Sequence, residues 1–223
     1  MTDEIYGSDD LDLAENPERR CPAVLLLDVS SSMAGQPIEE LNRGLRIFTQ
    51  SVNDDEIARN RVEVALVPFS TDVEVHDFVI ASDFRPPTLE ADGVTNMGAA
   101  ILRGLELLED RKQRYKQHNI PYYRPWVFLI TDGLPTDDIQ LAVQRVHEGV
   151  QNSKFIFFAI GVEGADMNVL RLISPQRTAK LKGLKFRELF EWLSNSLGEI
   201  SRSRPGDKLK LPRPDSWMDE IEV

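Results

Sequence analysis

The segment Val24-Leu25-Leu26-Leu27-Asp28-Val29-Ser30-Ser31-Ser32-Met33 decides the fold of this chain. Its apolar start predicts a buried strand, and Asp28, Ser30 and Ser32 follow where the strand gives way to a loop. Side chains two residues apart point to the same side of an extended chain, so one carboxylate and two hydroxyls can be directed at one point. Such oxygen ligands suit a hard cation such as Mg²⁺. Taken alone, the same residues also suit the cap of a following helix.

Strands and helices alternate along the rest of the chain. Apolar runs predict further strands at residues 62–69, 73–79, 126–130 and 155–162, with an edge strand at 181–184. Helical spacing of apolar residues predicts helices at 37–53, 97–112, after Thr136, at 166–173 and at 186–203. This order predicts an α/β fold with a doubly wound, mostly parallel sheet, one antiparallel edge strand and helices on both faces.

A second strand end resembles the first. The apolar run from Trp126 to Ile130 leads into Thr131-Asp132-Gly133. Because parallel strands end at the same edge of a sheet, Asp132 is expected close to Asp28. The next residues favour a helix start, with Thr136 as N-cap, and we interpret Asp137 and Asp138 as capping groups rather than metal ligands.

Composition limits the class of protein. The chain has 223 residues, 41% of them hydrophobic, which predicts one domain with a substantial core. A net charge of −11 argues against nucleic acid or an anionic membrane as partner. We find no apolar run long enough to span a membrane and no signal segment, and we expect a cytoplasmic protein. The single cysteine, Cys21, is predicted to be a packing residue rather than a reactive thiol.

The histidines and a basic, aromatic segment are other candidate functional groups, and for both we expect structural roles. The histidines His76, His118 and His147 fall on separate elements without ligand spacing, and we expect surface or structural roles for them. Basic and aromatic residues alternate between 111 and 124, as in some RNA-binding segments, but in so acidic a chain we expect a solvated helix end and loop.

Both ends of the chain differ from its middle. Residues 1–19 are acidic and are predicted to be a flexible segment, residues 20–203 form the predicted domain, and residues 204–223 form a proline-containing tail. The tail ends in Trp217-Met218-Asp219-Glu220-Ile221, which suits either a partner's groove or a site on this domain's own surface.

Three motifs together resemble a known family. They are Asp28-Val29-Ser30-Ser31-Ser32, the segment Thr95-Asn96-Met97-Gly98, and Thr131-Asp132-Gly133, and their order and spacing are similar to those of the von Willebrand factor A (VWA) domain. The resemblance implies a metal-ion-dependent adhesion site. Within it Asp28 would anchor the ion, Ser30 and Ser32 would coordinate through hydroxyls, Thr95 would coordinate directly or through water, and Asp132 would act mostly from outside the ligand shell. Val94 departs from the glycine expected there.

The resemblance also implies a function. The ion would be Mg²⁺, with Mn²⁺ or Ca²⁺ as alternatives, and its open position would bind an Asp or Glu of a partner protein, without catalysis. The chain looks like the stand-alone bacterial VWA proteins of tellurium-resistance clusters, which implies a scaffold or regulator beside a protein phosphatase or kinase. Two alternatives stay open: a Mg²⁺-dependent phosphohydrolase, and a structural metal with partners bound through the tails.

Overall fold

A six-stranded sheet forms the centre of the protein. The computed structural model describes residues 16–203 and 214–218. The strand order across the sheet is β3-β2-β1-β4-β5-β6, and only β3 runs antiparallel to its neighbour. The strands are β1 (Cys21–Asp28), β2 (Val62–Phe69), β3 (His76–Ile80), β4 (Trp126–Thr131), β5 (Ile156–Gly161) and β6 (Thr178–Lys180). The predicted fold class is confirmed.

Six α-helices accompany the sheet in the described part of the chain. They are α1 (Gln36–Asp54), α2 (Ala58–Arg61), α3 (Met97–Gln117), α4 (Gln140–Gln151), α5 (Met167–Ile173) and α6 (Phe186–Arg202). Short 3₁₀ turns lie at Ser31–Met33 and Pro214–Ser216. Among the described residues, we find no helix with the length and apolar content needed to cross a membrane.

The helices cover both faces of the sheet. One face packs against α1 and α6, where Leu25 and Leu27 of β1 meet Phe48 and Phe190. The other face packs against α3, α4 and α5, and Leu26 belongs to that core. All eight residues of β1 are buried. Because β1 lies between β2 and β4 and under helices on both sides, the loop that follows it starts from a rigid position.

The predicted edge strand at residues 181–184 is wrong by three residues, because β6 ends at Lys180. The N–H of Leu181 still donates to Gly161 O at 2.8 Å. Beyond it the chain turns toward α6, and Gly183 takes a positive φ of 57° that interrupts extended backbone. Alternating and continuous apolar runs do not reveal where a short edge strand stops.

A buried charge cluster lies at the end of the sheet opposite Asp28. Glu63 is 1% exposed, and its two carboxylate oxygens accept hydrogen bonds from Arg20 Nε and Arg111 Nε, each at 2.7 Å. The hydroxyl of Tyr115 also donates to Glu63. Burial and the charge of Glu63 raise the pKa of Tyr115, so this hydroxyl keeps its proton. Arg111 and Tyr115 were expected to be solvated; they are instead turned inward because Glu63 needs buried partners.

The thiol of Cys21 lies close to this cluster. The residue is 1% exposed, and burial, with a smaller contribution from the charge of Glu63, raises the pKa of its thiol to about 12. Since the thiolate is the reactive form, we expect no maleimide labelling of the native protein at mildly alkaline pH and complete labelling in guanidinium chloride. Equal labelling rates in the two conditions would contradict this prediction.

The N-terminal segment contacts the domain where it is described. Residues 1–15 of the predicted flexible segment lie outside the described residues. Asn16 donates from its side chain to Asn60 O at 3.0 Å, and Glu18 forms an ion pair with Arg61 at 2.7 Å. The four residues from 16 to 19 therefore follow the domain surface, and the division of the chain at residue 19 stays a prediction.

The C-terminal motif folds back onto the domain in its described part. Trp217 is 2% exposed and its ring lies 5.3 Å from that of Trp192 in α6. Its carbonyl oxygen accepts the N–H of Lys182 at 2.8 Å, and Met218 forms an antiparallel bridge with Leu181. Residues 204–213 and 219–223 lie outside the described residues. Of the two expectations for this motif, its described residues, Trp217 and Met218, follow the second, binding to this domain's own surface.

Candidate metal centre

Asp28 is held in one orientation at the carboxyl end of β1. It is fully buried, with an exposed fraction of 0%. Its Oδ1 accepts the N–H of Ser30 at 2.8 Å, and its Oδ2 accepts the hydroxyl of Thr131 at 2.5 Å. A buried carboxylate requires such partners. Because one bond comes from the following loop and the other from β4, the orientation of Asp28 depends on both segments.

Ser30 and Ser32 lie next to each other in the loop after β1. Their hydroxyl oxygens are 3.0 Å apart, and the hydroxyl of Ser32 donates to Asp132 Oδ1 at 2.7 Å. Ser30 is 2% exposed, whereas Ser32 is open to solvent. Ser32 lies within the 3₁₀ turn Ser31–Met33, and Ser30 is the residue that precedes this turn. The loop therefore connects Asp28 at the base of the site with Asp132 at its rim.

Thr131 was not predicted as part of the site. Its hydroxyl donates to Asp28 Oδ2 and accepts the N–H of Gly133 at 3.1 Å, so it joins β1 to β4. The residue is fully buried at the end of β4. A hydroxyl that ends an otherwise apolar strand needs a buried partner, and this is the signal in the sequence that could have indicated its role.

Thr95 reaches the site from the loop before α3. It is 5% exposed, and its carbonyl oxygen accepts the N–H of Thr136 at 2.9 Å. A methyl group on the Cα of Gly133 would lie 2.9 Å from Thr95 Oγ1 and 3.5 Å from Asp28 Oδ2. Gly133 therefore leaves space for the Thr95 hydroxyl and the Asp28 carboxylate to approach each other. The structure thus brings all five predicted residues to one edge of the sheet.

The electrostatics of the site centre on Asp132. Burial and, to a smaller extent, the nearby charge of Asp28 raise the pKa of Asp132, although its hydrogen bond with Ser32 acts in the opposite direction. A divalent cation beside these groups would instead lower the pKa of Asp132 and favour its ionised form. The donors are carboxylate and hydroxyl oxygens without nitrogen or sulfur, which is the set that Mg²⁺ or Mn²⁺ fits.

Asp137 caps a helix, but not the one that the sequence predicted. Its carboxylate accepts the N–H groups of Gly98 and Ala99 at 3.0 and 2.8 Å, at the start of α3. Thr136 is not the N-cap of α4, since that helix begins at Gln140. The assignment of Thr136 was wrong because the loop at residues 132–139 is held against α3 rather than wound into α4.

The described residues offer no competing site of histidine, cysteine and carboxylate ligands. No group of three or more such residues lies close enough to hold a metal ion within 16–203 and 214–218. His147 approaches Leu172 O at 2.9 Å with its Nε2, and His76 approaches Glu74 at 3.0 Å. The oxygen site at the edge of the sheet is consequently the strongest candidate in this part of the molecule.

Similar proteins include large ones with a comparable segment. A von Willebrand factor A domain-containing protein of Dictyostelium discoideum is 28% identical over 53% of this chain and 13% of its own length. Inter-alpha-trypsin inhibitor heavy chain H1 of Bos taurus is 25% identical over 71% of this chain and 18% of its own length. The chain therefore spans less than a fifth of the length of these relatives.

Solved structures share the fold at low sequence identity. The pilus adhesin SpaC of Lactobacillus rhamnosus GG superposes with a TM-score of 0.65 and 14% identity, over 82% of this chain and 30% of that one. The manganese-loaded TRAP protein of Plasmodium vivax gives a TM-score of 0.55 and 20% identity, over 78% of this chain and 74% of that one. The family model of the von Willebrand factor type A domain matches residues 24–187. The chain belongs to the von Willebrand factor type A domain family.

Proposed function

We propose that this protein is a metal-dependent protein-interaction module. Asp28, Ser30, Ser32, Thr95 and Asp132 would hold a divalent cation, Mg²⁺ or Mn²⁺, at the carboxyl edge of the sheet. The observation that carries the proposal is the chain of hydrogen bonds from buried Asp28 through the two serines to Asp132. The cation would supply an electrophilic position for a carboxylate of the partner.

The side chains have different parts in this proposal. Asp28 supplies a fixed negative charge at the base, because both of its oxygens are already oriented by protein donors. Ser32 and Asp132 lie at the more exposed rim, where a ligand would approach. Neutral hydroxyl ligands balance less of the cation's charge than carboxylates would, so the cation would keep its attraction for an anionic group.

Relatives support the general form of the proposal. VWA domains commonly mediate metal-dependent protein interactions and are typically not enzymes. Among structures with this fold, the TRAP protein was crystallised with manganese and SpaC is a pilus adhesin. We therefore propose a binding role and no catalytic role, in preference to the phosphohydrolase alternative.

A cation titration tests the proposed site. We expect Mn²⁺ to bind the wild-type protein in calorimetry, Asp28→Ala to abolish the heat, and Ser32→Ala to weaken binding at least about tenfold. Asp54→Ala is the matched control, because Asp54 is exposed at the opposite end of the sheet. Ser32 is also exposed, so its variant is expected to fold. Unchanged Mn²⁺ affinity in folded Ser32→Ala and Asp28→Ala would refute the site.

The cellular setting is proposed from the sequence resemblance alone. We propose a cytoplasmic protein whose partner is a phosphatase or kinase of a tellurium-resistance type system. Pull-downs from a bacterial lysate with Mn²⁺ or with a chelator, using wild type, Asp28→Ala and Trp217→Ala, test this setting. Capture lost only in Trp217→Ala, with that variant shown to be folded by circular dichroism, would favour the alternative in which the tail binds the partner.

A further inference from the structure

Two exposed apolar side chains border the candidate metal centre. Val94 is 47% exposed and Leu134 is 58% exposed. Val94 directly precedes Thr95, and Leu134 follows Gly133, where an added Cβ would lie 2.9 Å from Thr95 Oγ1. Thr136, two residues after Leu134, donates its N–H to the Thr95 carbonyl oxygen. Both residues therefore belong to the two loops that meet at Thr95, and we call their side chains the apolar rim.

The loops around the apolar rim carry charge of one sign. Residues 29–35, 70–75, 92–96, 132–139 and 162–166 contain no lysine or arginine. Their eight acidic residues are Asp72, Glu74, Asp92, Asp132, Asp137, Asp138, Glu163 and Asp166. Asp28 and Asp132 together balance a divalent cation, so the other acidic residues leave these five loops negative, whereas the lysines at this edge, Lys180, Lys182 and Lys185, lie at and beyond the end of the edge strand β6. Three of them, Asp137, Asp138 and Asp166, accept hydrogen bonds at helix starts.

Two of the exposed acidic residues, Asp72 and Glu163, each follow a residue that is hydrogen-bonded to a segment of the site. Asp72 follows Thr71, whose hydroxyl oxygen accepts the N–H of Val94 at 3.2 Å. Glu163 follows Val162, whose N–H donates to Thr131 O at 2.8 Å. Both side chains are exposed to solvent. Asp72 follows β2 and Glu163 follows β5, and these strands lie on opposite sides of the β1–β4 pair that carries Asp28 and Thr131.

This arrangement restricts the ligand that the proposed function requires. A carboxylate on its own is attracted by the cation but repelled by the surrounding acidic loops. Positive charges next to that carboxylate would remove the repulsion and add attraction, and an apolar side chain would cover Val94 and Leu134. We infer that the partner presents an acidic side chain flanked by lysine or arginine, with an adjacent apolar residue that packs on the apolar rim. The inference rests on the proposed function.

Paired peptides test the inference. The probes are two fluorescent peptides with one central Leu-Glu, flanked on both sides by lysine in one and by serine in the other. In Mn²⁺ and low salt we expect the lysine peptide to bind at least about tenfold more tightly, and the difference to shrink as salt screens the charges. Replacing the central Glu by Gln in the lysine peptide is expected to remove the Mn²⁺-dependent part of binding.

Variants locate the effect on the protein. Asp72→Asn and Glu163→Gln are each expected to weaken binding of the lysine peptide about threefold and not to weaken binding of the serine peptide. Leu134→Ala is expected to weaken binding of both peptides. Glu56→Gln is the matched control, because this exposed residue lies at the opposite end of the sheet.

Separate outcomes decide the two proposals. Equal affinity for the two peptides, tighter binding of the serine peptide, or no binding of either peptide to Mn²⁺-loaded protein would overturn the inference and leave the metal site standing. Absence of Mn²⁺ binding in calorimetry would instead refute the proposed function, and the inference with it.

Discussion

Replacement of Glu63 by glutamine is expected to lower the free energy of unfolding by about 3–5 kcal/mol. The variant keeps the size of the side chain, removes its charge and replaces one acceptor oxygen by an NH₂ group that can only donate. Arg20 and Arg111, which are 1% and 5% exposed, would then remain buried beside a neutral amide. The large effect follows from the cost of two uncompensated charges in the interior, not from the intrinsic strength of an ion pair. Urea unfolding measures it.

A surface ion pair is the control for this prediction. Glu106 pairs with Arg103 at 3.3 Å, and their side chains are 65% and 50% exposed. Solvent screens such a pair, so Glu106→Gln is expected to change the free energy of unfolding by less than about 1 kcal/mol. Similar losses of unfolding free energy in the two variants would contradict the prediction that the charge of Glu63 compensates the buried charges of Arg20 and Arg111.

Replacement of Trp217 by alanine is expected to cost about 3–5 kcal/mol of unfolding free energy. Trp217 is separated from the end of α6 by residues 203–216, yet its ring is buried against Trp192. Trp192 in turn packs on Trp126 and Phe158 of the sheet. Removing the Trp217 ring therefore exposes aromatic surface on α6 and leaves residues 214–218 with a weaker hold on the domain.

Two further variants separate packing from other effects. Trp217→Phe keeps an aromatic ring and is expected to cost less, about 1–2 kcal/mol. Leu172→Ala removes an exposed apolar side chain, 56% accessible, and is expected to cost no more than about 0.5 kcal/mol. If Trp217→Ala unfolds at the wild-type urea concentration, the contact between this segment and α6 does not contribute to stability.

The fold class and the strand ends follow from local pattern. The run from Val24 to Leu27 is too apolar to face water on either side, so it predicts a central strand, and its polar end must open into a loop. The same reasoning applies to β4 and its end at Thr131. Asp28 and Asp132 were therefore predicted at one edge without any knowledge of tertiary contacts. The order of three motifs added Thr95 by resemblance.

Local pattern was less informative where elements are short or are held by distant partners. The edge strand was placed at residues 181–184 instead of Thr178–Lys180, because a three-residue strand has almost no periodicity. Asp137 was predicted correctly as a capping residue but for the wrong helix. The Asp137 carboxylate accepts N–H groups because of its own chemistry, whereas the path of the loop decides whether those groups belong to α3 or to α4.

By itself, the sequence determined the layered α/β architecture and the set of oxygen-bearing residues at strand ends, because periodicity and residue chemistry act over a few neighbouring positions. Only the tertiary structure decided which polar groups meet. Thr131 and Asp28 are 103 positions apart, and Tyr115 and Glu63 are 52 apart. Such pairs form because a buried polar group must find a partner wherever the packed chain brings one, and that choice is made across the whole fold.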